Sequence, residues 1–406
     1  MHRILFYHSK HINLMSIKNK IGVPVTGEDF FGRVQELSRA NRYLDEGQSL
    51  LLSAPRRIGK SSLAKKLIAN KTSQQWKCSY IDLQGTATKE EFLRTLINSF
   101  TGVGLMEKTS RKVKDLISSA FNATDGVELG MLKIDLNHKD QSTSLYRRLA
   151  DTFDYEHDTL IVIDELPLFL GKLMNQEGEN RDDVEYLLNW FRSIRQNEKS
   201  HLRWLFCGSV GLRNFTNHHR MSQSINDLID FELGELPKDE AYGLIKALAC
   251  SYDINIDDNV VTETLELMQW SIPYFLQLLM DRIISKVQSG ADRNIDINDI
   301  EQAIDELATS DYLMTWDERL DEYQDLEIYA RVILNALSTA EAGLTKEQLL
   351  QLAMNGKEST EQHQVNMQLT KVLDMLEHDG YIIRKESNRK FRSPLLRKWW
   401  KYKFMD

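Results

Sequence analysis

A lysine able to reach a polyphosphate, a hydroxyl able to hold a divalent cation and two adjacent carboxylates are the residues whose types and spacing could do chemistry. The first two stand in SLLLSAPRRIGKSSLAKKLIAN, residues 49–70, where an apolar run passes through a loop into a helical pattern with Leu63, Ala64, Leu67 and Ile68 on one face. Holding a phosphate takes converging backbone N–H groups, a cation that reaches the β and γ oxygens, and a hydroxyl for magnesium at a helix N-terminus. Gly59, Lys60 and Ser61 supply these functions in order, and Ala54, Pro55, Arg56, Arg57, Ile58 and Ser62 complete the cradle of a P-loop. Ala54 stands where the G-x-x-x-x-G-K-[ST] pattern has its first glycine; a methyl is the least costly substitute, but a positive φ there would be strained. With that position relaxed, average composition gives a chance match in about one such chain in thirty. The plainer alternative, a lysine-rich helix start, does not explain the strand placed before the loop.

Further along, TLIVIDELPLFL sets Asp164 and Glu165 at the end of an apolar run, just before Pro167. The expectation is that Asp164 shares Mg²⁺ with Ser61 while Glu165 polarises the attacking water. Two solvated loop acids would look the same in isolation; the P-loop upstream argues against that. A third run, LRWLFCGSVGL, ends in glycines flanking Ser209, the candidate sensor of the γ-phosphate. A glycine-rich end that merely lets the chain turn is its alternative.

These residues need a scaffold that brings strand ends together. The runs at 49–53, 78–83, 160–163 and 202–207 are apolar without alternation and are separated by helical patterns, the mark of strands covered on both faces in a parallel α/β sheet. The carboxyl ends of such strands are where open α/β sheets bind ligands. Residues 24–236 are therefore expected to form the nucleotide-binding core. From Pro237 to about residue 320 the strand signal vanishes and a helical domain is expected. Residues 321–406 outline three helices, near 327–337, 345–354 and 364–378, then a β-hairpin around the charged turn ESNRK: a winged helix-turn-helix. Residues 1–23 read as an N-terminal extension, with Met15 as an alternative start. Within 86–157, EEFLRTLINSF reads as helix and VELGMLKIDL as a short hairpin in an insertion.

The chain has 406 residues, 42% hydrophobic and 27% charged, which excludes a disordered or fibrous chain and implies two or three domains. No apolar stretch reaches the ~18 residues of a membrane helix. The opening MHRILFYHSK has too short an apolar segment for a secretory signal of about 7–15 residues, so a cytoplasmic protein is expected. Cys78, Cys207 and Cys250 lack paired spacing for zinc or a disulfide framework and read as buried thiols. A net charge of −9 argues against a whole-protein grip on nucleic acid.

The chain resembles the archaeal-type ATPase family of STAND/AAA+-related P-loop NTPases. The resemblance covers most of residues 24–400 and rests on TGEDFFGRVQEL at 26–37, APRRIGKSSL, LIVIDELP, CGSVGL, LGELPKDEA at 233–241, IPYFLQLL at 272–279 and SPLLRKWW at 393–400. It implies a parallel-sheet ATPase domain, a helical lid and a C-terminal winged helix, binding ATP or ADP with Mg²⁺. It also implies that Phe30, Phe31, Gly32 and Arg33 line the adenine pocket and that Ser271, Ile272 and Pro273 stand at the family's G-x-P element, with Gly replaced by Ser. AAA+ machines present a sensor arginine in the lid, and none stands at that position. Arg213 and Arg220, after the sensor strand, are conceivable arginine fingers, though surface or structural roles are the plainer reading.

Between Arg384 and Lys403 there are nine Lys or Arg against one acid, interleaved with aromatics. On a winged helix this suggests duplex DNA held by Arg384, Lys385, Arg389, Lys390 and Arg392; docking of the last helix through its aromatics is the alternative. The leading expectation is an ATP- and Mg²⁺-dependent switch ATPase coupled to DNA or a protein partner. Its rival is a regulator that holds nucleotide without hydrolysis. A third reading, a DNA-remodelling or transposition-associated ring, requires an ATP-dependent oligomer.

Overall fold

The computed structural model describes residues 16–105, 146, 147, 149–151, 153, 155–175, 181–208, 211–355, 358 and 361–405. They fall into two compact units. One comprises Arg33–Arg56 and Lys60–Leu233; the other holds the remaining described residues, Arg57–Gly59 among them. The hairpin expected in VELGMLKIDL and the sensor candidate Ser209 lie outside the described residues.

The first unit is built on a sheet of β1 (Leu50–Ser53), β2 (Lys77–Asp82), β3 (Thr159–Asp164), β4 (Leu202–Gly208) and β5 (Ile229–Glu232). Its order is β2-β3-β4-β1-β5, with every pair parallel. α1 (Val34–Asp45) precedes β1; parallel neighbours need crossovers, and α2 (Lys60–Ser73), α3 (Lys89–Gly102), α4 (Leu166–Met174), α5 (Arg181–Arg195) and α6 (Leu212–His218) lie between the strands. The interior strand β3 is buried at every residue, which is why its sequence is an unbroken apolar run. β5 went unseen in the sequence because IDFE alternates acid with apolar and buries only Phe231 fully; it is an edge strand with one covered face. Aromatic rings fill one side of the sheet: Phe92 stacks on Phe169 at 4.8 Å, and Phe191 meets Trp204 edge-on at 5.1 Å.

The second unit contains α7 (Lys238–Ser251), α8 (Asp258–Met268), α9 (Pro273–Gln288), α10 (Ile297–Ala308), α11 (Met314–Glu318), α12 (Glu327–Thr339), α13 (Lys346–Ala353), α14 (Gln362–His378) and α15 (Pro394–Phe404). Pro273 and Pro394 start their helices, where a missing N–H costs nothing. Asp296 and Thr345 close capping boxes on α10 and α13. The stretch expected to be wholly helical also holds a parallel pair, β6 (Asn255–Ile256) with β7 (Asn294–Ile295); two residues each are too few to leave a periodicity. After α14 comes the expected hairpin, β9 (Ile382–Lys385) with β10 (Asn388–Phe391), and β8 (Leu344–Thr345) pairs as its third strand.

A buried Arg319 ties this unit together, its Nε donating to Asp379 at 3.0 Å while its guanidinium also pairs with Glu322. Of the thiols expected to be buried, only Cys207 is; Cys78 is half-buried and Cys250 exposed. Cys250 sits near the end of an amphipathic helix, where composition gave no facing information. Among the described residues no helix is long and apolar enough to cross a membrane.

Candidate functional site

Helix α2 starts at Lys60, so the N–H groups of its first turn have no partner within the helix, and β1 delivers the chain to that point. The loop between them uses positive φ at Arg57 (65°) and Gly59 (101°). Ala54 is not among the positive-φ residues and is 2% exposed, so the alanine in place of the first glycine carries no backbone strain. The buried Lys60 turns its Nζ onto the loop itself, donating to the carbonyls of Ala54 (2.7 Å) and Pro55 (2.8 Å).

Across the sheet, β3 ends at Asp164 and α4 begins two residues on, with Glu165 as a left-handed hinge at φ 58°. Left-handed backbone in a residue other than glycine costs on the order of 1–3 kcal/mol and is kept where the surroundings dictate it. Here it lets a buried strand turn at once into a buried helix, leaving Glu165 half-buried. Asp164 is 5% exposed. Its Oδ1 accepts from the Glu165 amide at 3.1 Å, and its Oδ2 accepts from the Ser61 hydroxyl at 2.8 Å.

A third donor completes this carboxylate: the Tyr80 hydroxyl, 2.5 Å from the same Oδ2. Sequence reading passed over Tyr80. β2 and β3 run in parallel register with Tyr80 beside Val162 and Asp82 beside Asp164, so Tyr80 shares a face with Asp164 two residues behind it. That offset is about 6–7 Å along the strands, the reach of a phenol. Burial, followed by the neighbouring Asp164 charge, pushes the Tyr80 phenol well above its ordinary range, which keeps it a donor. Lys65 of α2 lies over its ring at 5.4 Å. The available signal was a polar-tipped aromatic at a half-buried position of an edge strand that buries only Ser79 and Ile81.

Ser61 and Asp164 offer hard oxygen ligands, and the donors on the buried carboxylate are neutral, which fits a magnesium ion. Among the described residues no cluster of three or more His, Cys, Asp or Glu could hold a metal on its own. A site of one hydroxyl and one carboxylate leaves the remaining positions to phosphate and water, as magnesium prefers.

The other candidates are placed as follows. Arg33, at φ 62° before α1, has its guanidinium buried against Glu36 at 2.8 Å. Arg56 and Ser62 are half-buried and Ile58 is buried. In the second unit, the Arg57 guanidinium lies 4.7 Å over the Tyr274 ring and donates to the Gly22 carbonyl at 3.3 Å. A Cβ on Gly59 would come within 4.0 Å of Pro273. Phe31 and Gly32 pack on α7: a Cβ on Gly243 would meet the Phe31 ring at 3.0 Å, and a Cβ on Gly32 would meet the Glu240 carboxylate at 2.6 Å. Ser271 donates its amide to Glu235 at 2.7 Å, fixing the turn before α9.

Arg213 is gripped by Asp230, with Nε 2.6 and 2.7 Å from the two carboxylate oxygens, so its guanidinium braces β5. Arg220 is exposed at φ 57°, and its carbonyl accepts from Arg181 at 3.0 Å.

Four of the nine cations of the basic C-terminal segment are paired with acids where they stand. Arg397 pairs with Glu341 and Lys398 with Asp305, both at 2.7 Å, while Arg389 reaches Glu377 and Lys403 reaches Asp311 at 3.4 Å. Arg392 lies over Trp270 at 5.3 Å. Trp399 and Trp400 are fully buried and donate to the Ser310 carbonyl and the Asn335 side chain, anchoring α15. The exposed cations of the hairpin are Arg384 and Lys385, with Lys390 half-buried.

Residues 44–215 match the family model of the AAA domain. No curated protein sequence matches the chain. Among solved structures, a Walker-type ATPase of Pyrococcus abyssi superposes with a TM-score of 0.59 at 18% identity, over 92% of this chain and 97% of that one. The ORC2 protein of Aeropyrum pernix, solved as ADPNP–ADP complexes, superposes with a TM-score of 0.53 at 13% identity, over 92% and 95% of the two chains. At these identities the likeness is one of fold: a parallel-sheet, AAA+-like P-loop NTPase.

Proposed function

We propose that the protein is an ATP-binding, magnesium-dependent switch ATPase whose nucleotide state governs its contact with DNA or a protein partner. The observation that carries this reading is the 2.8 Å bond between Ser61 at the head of α2 and Asp164 at the end of β3, two residues 103 apart in sequence. Helices α7–α10 serve as the lid, and α12–α14 with β8–β10 as a winged helix.

In this reading the Lys60 ammonium leaves the Ala54 and Pro55 carbonyls and moves to the β and γ oxygens of ATP, exchanging two neutral acceptors for charged ones. Magnesium, held by Ser61 and Asp164, would supply the charge that neutralises the phosphates. The N–H groups at the start of α2 donate to the anion. Glu165, next to Asp164 on a fixed left-handed hinge, orients water toward the γ-phosphate as general base.

The test is steady-state ATP hydrolysis with and without duplex DNA, together with nucleotide binding. Lys60→Ala is expected to lose nucleotide binding. Glu165→Gln is expected to bind ATP and not turn it over. Equal turnover by both variants and the wild type would remove the mechanism. Binding without turnover in any condition would move the weight to the nucleotide-holding regulator. A monomer with ATP and DNA present would count against a ring.

A further inference from the structure

A carboxylate that must hold a metal in one orientation needs both of its oxygens fixed, because the terminal torsion of an aspartate is broad. The Asp164 Oδ1 is fixed by the amide of the next residue, at 3.1 Å. Its Oδ2 has two hydroxyl donors from different elements, Ser61 on α2 and Tyr80 on β2. The Ser61 oxygen is itself a metal ligand in the nucleotide reading, so its position changes with the ion. Tyr80 starts two residues down its strand, and only its hydroxyl arrives, at the carboxylate oxygen.

We infer that Tyr80 is a positioning residue for the metal ion of the nucleotide site: its hydroxyl locks the Asp164 carboxylate from the β2 side, so that the metal meets a preset ligand. This rests on the nucleotide reading above. Groups that hydrogen-bond to metal ligands are worth about 10–100-fold in metal affinity. Lys65 lies over the Tyr80 ring, and Tyr80→Phe keeps that ring while deleting the donor.

The experiment measures ADP binding by calorimetry on the full chain, in excess chelator and across a magnesium titration. For Tyr80→Phe, ADP affinity in chelator is expected to match the wild type, while the magnesium concentration that half-restores tight binding rises about tenfold. In an Asp164→Asn background, Tyr80→Phe is expected to add no further loss, because the two act on one group. An unchanged magnesium midpoint in Tyr80→Phe overturns the proposal, as does a full additional loss in the Asp164→Asn background. The wild type serves as the separate control. If it binds no ADP with or without magnesium, the nucleotide reading itself fails; if it binds with a magnesium requirement that Tyr80→Phe leaves unaltered, only the role of Tyr80 fails.

Discussion

If duplex DNA is held by the C-terminal hairpin, its affinity should depend on salt only weakly, and the structure sets how weakly. Four of the nine cations between Arg384 and Lys403 are already paired with acids, and Arg392 is stacked on Trp270. On the hairpin this leaves Arg384, Lys385 and Lys390 to meet phosphates. Each phosphate neutralised contributes about −0.9 to the slope of log affinity against log salt, so three give about −2.7. Between 50 and 200 mM salt the affinity should therefore fall roughly fortyfold. Fluorescence anisotropy of a labelled duplex over that range gives the slope directly. Replacing Arg384 and Lys385 with alanine together should make it shallower by about two, without altering the fold, since both side chains are exposed. A wild-type slope steeper than about −5, or a slope unmoved by the double variant, would show that the hairpin is not the DNA-facing surface.

The loop makes a paired prediction. Gly59→Ala should cost about 1–2 kcal/mol in a thermal melt through its φ of 101°, with nucleotide binding impaired, whereas Ala54→Gly should gain no affinity and lose about 0.5–1 kcal/mol by loosening the unfolded chain. On the first unit's surface, burial alone would raise the Asp227 carboxyl, but the two bonds from Arg195, at 2.7 and 2.9 Å, outweigh it and hold the group below its usual range. Its stabilisation is present above the unfolded pKa of about 3.9 and is lost as pH falls through the lower folded value. Asp227→Asn should therefore cost about 2 kcal/mol in urea unfolding at pH 7, with the difference from wild type closing in strong acid. Arg213→Ala should lower stability by no more than about 1 kcal/mol, because the Arg213 and Asp230 side chains are 37% and 54% exposed. Arg220→Ala should leave the melt unchanged; a loss of ATP turnover in that variant alone, with nucleotide binding intact, would mark it as the finger.

The loop proposed to hold phosphate was legible because its demands are local. A glycine at φ 101°, a lysine at a helix start and a serine beside it act within one turn, and spacing along the chain is enough to specify them. β1, β3 and β4 were legible for a related reason: burial on both faces forces a nearly unbroken apolar run, and β3 has no exposed position to interrupt it. β5 and the β6–β7 pair were not, since an edge strand with acids at alternate positions and strands of two residues leave no such run. The partners of long charged side chains lay beyond the sequence altogether. Arg57 stacks on Tyr274, Arg213 is held by Asp230, and Arg397 and Lys398 find acids far away in the chain, so a segment that reads as basic is partly neutralised. Tyr80 is the sharpest instance. Nothing in CSYIDL marks it, because its role depends on parallel register with β3 and on a phenol long enough to span two residues of rise, and both are set only when the sheet has formed.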